Sequence, residues 1–167
     1  GGTDVDSFSL LSHGSIVISI DSATYTLSGL GNIQDRDVVR FIPTSLGPDT
    51  AGSFEWYLDG SDVGLTTSGE DIDALDFAAD GRLLLSTQGS FGVSGASGAD
   101  EDLVAFTATS LGADSSGEWA LYFDGSDVGL NNSSSEDING VWVDSKTGEI
   151  YLSTLGARLQ VVARRAQ

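Results

Sequence analysis

The chain has no cysteine, no methionine, one histidine, two prolines and a single lysine among 167 residues. Without thiols there is no disulfide staple, no thiol nucleophile and no thiolate metal site, so packing and hydrogen bonding must hold the fold. The lone His13 stands beside Gly14 in a stretch that reads as a turn, which leaves no histidine-based acid–base or metal motif. No Gly-x-Ser-x-Gly nucleophile turn and no phosphate-binding glycine loop occurs. These absences favour a non-enzymatic protein. No apolar run approaches the ~20 residues of a membrane-spanning helix, which argues against membrane insertion. A chain without methionine is expected to be trimmed at its start or cut from something longer, and it fits an exported protein that has lost a signal peptide.

What is present is acid. Twenty-five Asp and Glu against seven Lys and Arg leave a net charge of −18. Binding to nucleic acid or to an anionic membrane surface needs clustered cations, so neither is expected as a partner. Arg158, Arg164 and Arg165 all lie beyond the last acid, Glu149, and make the C-terminal end the one basic spot. Hydrophobic residues make up 40%, with three Trp, seven Phe and four Tyr, enough for a real core. Twenty-two glycines, abundant Ser and Thr and few straight-chain helix formers favour short strands joined by turns.

The chain repeats itself. Glu70–Phe77 matches Thr3–Leu10 and Glu136–Val143, and each copy is followed by a glycine turn, at His13-Gly14, Asp80-Gly81 and Thr147-Gly148. Apolar runs around such a turn predict a two-residue β-hairpin. Asp35–Phe41 matches Asp100–Phe106, and Tyr57–Leu65 matches Tyr122–Leu130, which predicts two more strands per unit, with a short extra strand at 23–27 and 90–94. The expected organisation is one all-β domain, 1–167, of tandem repeats of about four antiparallel strands. Its units are 1–69, 70–135 and an incomplete 136–167. A propeller blade and a sandwich are both compatible with that order of strands. The segments Asp-Glu-Asp-Leu-Val-Ala-Phe (100–106), Phe-Asp-Gly-Ser-Asp-Val-Gly-Leu (123–130) and Glu-Asp-Ile-Asp-Ala-Leu (70–75) together resemble a tandem repeat of secreted and surface-anchored bacterial proteins. That resemblance covers nearly the whole chain and implies an extracellular or cell-surface location.

The acids gather in recurring motifs. Asp59 and Asp62 recur as Asp124 and Asp127, and Glu70, Asp71 and Asp73 recur in part as Glu136 and Asp137. Two chemistries account for them. Paired carboxylates in flexible loops suit Ca²⁺, which takes six to eight oxygen ligands, and would place a calcium site at each junction between units. Asp also stabilises turns through its own backbone and discourages edge pairing at strand ends. Trp56 and Trp119 read as core residues at equivalent strand positions, and strand alternation separates Trp from Tyr, so that one of each pair is expected to be buried and the other partly exposed. The third unit lacks the second hairpin that would cover it, and an open edge is a template for another chain. Leu159, Val161, Val162, Arg164 and Arg165 are therefore the expected subunit interface of a homo-oligomer, with a filament as its extended form. An extracellular structural or adhesive subunit is the expected function. A carbohydrate- or protein-binding module is the alternative.

Overall fold

The computed structural model describes residues 2–156, and these are all-β. The first unit forms an antiparallel sheet in the order β1 (Val5–Leu10), β2 (Ile16–Ile20), β5 (Val38–Ser45), β6 (Ala51–Leu58). A small hairpin, β3 (Tyr25–Leu27) and β4 (Gly31–Ile33), is inserted between its second and third strands. The second unit repeats this plan with β7 (Ile72–Phe77), β8 (Leu83–Thr87), β11 (Leu103–Ser110) and β12 (Ser116–Phe123), and with the inserted hairpin β9 (Phe91–Val93) and β10 (Ala96–Gly98). In the third unit the opening hairpin is described, β13 (Ile138–Val143) with β14 (Ile150–Thr154). Among the described residues no helix is long and apolar enough to cross a membrane.

Two local expectations need correction. The short extra strands at 23–27 and 90–94 are each one arm of a complete hairpin. The opening turns are also longer than two residues. Leu11 N–H donates to the Ser15 carbonyl and Ala78 N–H to the Arg82 carbonyl, both at 2.9 Å, which encloses three residues. Gly14 and Gly81 close these loops at φ +85° and +87°, the left-handed position that a three-residue hairpin needs and a side chain resists. The third turn encloses one residue more, between Asp144 and Glu149.

Sheets stack face to face, with β1, β7 and β13 as neighbours. The middle sheet is covered on both sides, which explains the unbroken run Leu83-Leu84-Leu85 where a half-solvated strand would alternate. Leu83 and Leu85 pack with Phe106 and Trp119 against Val17, Val38 and Leu58 of the first unit. Leu84, Leu103 and Ala105 face the other way, onto Ile138, Ile150 and Leu152 of the third. Each large apolar side chain buried this way contributes about 1.5–3 kcal/mol. Hydrogen bonds add register: Gly112 N–H donates to the Tyr57 carbonyl at 2.9 Å and Trp119 Nε1–H to the Val63 carbonyl at 2.8 Å.

Strand register also corrects the pairing of the tryptophans. Phe41 opposes Phe54 in the first sheet and Phe106 opposes Trp119 in the second, so the counterpart of Trp119 is Phe54, while Trp56 matches Leu121. Trp119 is buried, but Trp56 and Tyr57 are both half-buried, so no simple alternation separates them.

The same repeat position thus has different surroundings in different units. Phe106 is 1% exposed, whereas Phe41 lies half-buried on the outer face of the first sheet. Phe106→Ala should therefore cost about 3–5 kcal/mol in denaturant unfolding, and Phe41→Ala about 1–2 kcal/mol, although the two share a strand position.

Candidate functional site

Each opening strand carries a β-bulge at the same place. Ile72 pairs with Thr87 and Ala74 with Ser86, which leaves Asp73 as the extra residue. The irregularity recurs between Val5 and Phe8, around Asp6, and between Ile138 and Gly140, at Asn139. A bulge re-aims a side chain that regular pleating would place elsewhere. The acid of one unit is thereby brought to an acid that opens the next. Asp73 meets Asp137 within hydrogen-bonding reach, and Asp6 and Asp71 interact across the junction before it.

These carboxylates are deeply placed and short of donors. Asp71, Asp73 and Asp137 are 9%, 7% and 3% exposed, and the Oδ1 atom of each accepts no hydrogen bond, as does Asp6 Oδ2. Burial first, and then Asp6, Asp35 and Asp21, pushes Asp71 up to about 7. Burial first, and then the facing Asp137, pushes Asp73 up to about 9. Burial likewise raises Asp137, with Asp100 adding repulsion. Because Asp73 and Asp137 are in contact, they titrate as a pair that retains a proton at neutral pH when nothing else neutralises it.

The other acids singled out by spacing, except Asp127, have backbone partners. Asp59 Oδ1 accepts from Ser61 N–H at 3.0 Å, and Asp124 Oδ1 from Ser126 N–H at 3.0 Å, each forming an Asx turn at the start of a single 3-10 turn. Asp62 Oδ2 accepts from Ser115 N–H of the second unit at 2.9 Å, while its counterpart Asp127 is exposed. Glu70 is buried, yet backbone N–H groups of Thr67, Gly92 and Thr66 outweigh that desolvation and hold its carboxyl below the ordinary 4.5. Glu136 accepts from Asn132 and Ser133 N–H in the same manner. Among the described residues no three His, Cys, Asp or Glu side chains form a ready-made metal cage. The expected interface residues Leu159, Val161, Val162, Arg164 and Arg165 lie outside the described residues.

One residue that the spacing did not suggest ties all three units together. Asp76 Oδ1 accepts from Ser9 Oγ–H on β1 at 2.6 Å, and Asp76 Oδ2 from Val143 N–H on β13 at 2.7 Å. Its repeat counterparts are Ser9 and Trp142, so nothing in the pattern marks it. Asp37 and Asp102 are a second buried set: they accept from Gly60 and Gly125 N–H at 3.0 and 2.8 Å, and a Cβ on either glycine would collide with the carbonyl of Arg36 or Glu101. The chain matches no protein-family model and no curated protein.

Two outcomes follow. Asp76→Ala should cost about 2–4 kcal/mol in denaturant unfolding, because it strands the Val143 N–H in the core. For the raised acids the native state holds protons that the unfolded chain, titrating near 3.8, has already released, so stability falls as pH rises from about 4 toward the raised values. Glu70, Asp124 and Asp144 are lowered and act in the opposite sense, below 4.5 and 3.8. In chelator, the melting temperature should fall between about pH 5 and about pH 8, and Asp73→Asn should flatten that slope.

Proposed function

We propose that the chain is a non-enzymatic structural subunit of an extracellular bacterial filament or surface layer, in which copies join through their sheets. The observation that carries this reading is the outer face of the first sheet. Ile16, Ile18, Phe41 and Phe54 are half-buried there around an open groove of about 570 Å³. Their counterparts in the second unit, Leu83, Leu85, Phe106 and Trp119, are buried under the first unit. A face whose counterpart is covered by a repeat is thus only half-buried here, and a second copy seated on it, one sheet face against a different face, gives a head-to-tail contact that need not close. The acidic, cysteine-free composition and the resemblance to surface-anchored repeats support the location.

A second reading rests on a different surface. The groove between β1, β7 and β13 measures about 790 Å³ and is lined in part by Phe8, Phe77, Asn139 and Trp142. Trp142 is 56% exposed, with Tyr151 tilted against it at 5.0 Å. An exposed aromatic beside polar side chains is a surface that a sugar ring can stack on, which favours a carbohydrate-binding module.

Sedimentation velocity with electron microscopy across rising concentration separates the two. Assembly predicts linear oligomers that Phe54→Glu dissolves without changing the far-ultraviolet circular dichroism. A chain that stays monomeric throughout overturns the assembly reading. Glycan binding lost in Trp142→Ala would then favour the module.

A further inference from the structure

We propose that the junctions between successive units are cation sites, in which Asp73 with Asp137, and Asp6 with Asp71, bind calcium. The two junctions are built alike. One ligand comes from the bulge of the earlier unit, Asp6 or Asp73, and one from the residue just before the next opening strand, Asp71 or Asp137. A third acid, Asp35 or Asp100, comes from the same place in the repeat, and its backbone carbonyl accepts from the N–H of Ile72 or Ile138, the residue after Asp71 or Asp137.

The second support is the set of oxygens left without donors. At the later junction Asp73 and Asp137 are more than nine-tenths buried, and each has a buried Oδ1 that accepts no hydrogen bond. Buried polar atoms are nearly always satisfied, so orphaned oxygens at a repeated position point to an absent partner. That partner must be positive or a proton donor. The charged neighbours acting on these groups are acids, while Arg40 is paired with Glu55 and Arg82 with Asp80. Oxygen-only donors exclude a preference for soft metals. Calcium suits such a set better than magnesium, because it accepts irregular geometry and sheds water more readily. Backbone carbonyls and water would complete its shell, since two carboxylates supply only part of it.

Binding would also act on folding. A cation held between the two acids replaces mutual repulsion with attraction and adds a link to the backbone hydrogen bonds that already cross each junction, from Ile72 N–H to the Asp35 carbonyl and from Ile138 N–H to the Asp100 carbonyl. The carboxylates in the turns, Asp59 and Asp124, have no part in it.

The test uses the whole chain, stripped with chelator, near neutral pH. Calorimetric titration with calcium should give saturable binding, and millimolar calcium should raise the melting temperature by about 5 °C or more. Magnesium, or sodium chloride at matched ionic strength, should raise it much less. Asp73→Asn combined with Asp137→Asn should remove one binding event and shrink the calcium-dependent shift, whereas Asp124→Asn should preserve both. Asparagine is tolerated at the bulge, because Asn139 occupies it in the third unit. Equal shifts with calcium, magnesium and matched sodium chloride would reduce the effect to screening and overturn the proposal. Absence of calcium heat and of any shift would overturn it as well, and would leave the Asp73–Asp137 contact held by a shared proton.

Discussion

Everything in this fold depends on covering a sheet that is apolar on both faces. The strand containing Leu83-Leu84-Leu85 has no solvent side, because the first unit covers one of its faces and the third unit the other. Apolar burial supplies the main driving force, and it is delivered by neighbours in the stack rather than within one sheet. The unit of folding is therefore the contact between repeats. This is why inter-unit hydrogen bonds from Asp76, Asp62 and Trp119 matter more to the architecture than any tie inside a hairpin.

Stacking identical units creates an electrostatic problem at the same time. A repeat that opens with an acid and bulges at another acid brings the two together at every junction, where burial removes the water that would screen them. Like charges in a desolvated contact must take up a proton or a counter-ion. The carboxylates in the turns are different in kind, since backbone N–H groups neutralise them locally and they serve shape. Proximity in sequence does not separate the two classes. Glu70 and Asp71 are adjacent, yet three backbone donors hold the first down while burial and three facing acids drive the second up.

Much of this was legible before any coordinates. Self-similarity at two points per unit located the strands of both complete sheets, and glycine after a polar residue located the opening turns. The strand register was less accessible. Matching Trp56 with Trp119 by residue type overlooked the offset that pairs Trp119 with Phe54, because aromatic residues exchange freely wherever a strand position needs bulk. Asp76 was invisible for the opposite reason: its partners, Ser9 and the Val143 backbone, belong to other units, and the residues at its own repeat position, Ser9 and Trp142, are not acids.

The sequence by itself determined the all-β class, the repeat, the acidity and the absence of thiol chemistry, since these follow from composition and period. Only the tertiary structure decided which carboxylates face one another, which aromatic face lies open and which unit sits in the middle. Those properties arise between units, where residues roughly a whole repeat apart are brought into contact. A local pattern records each partner but not their meeting.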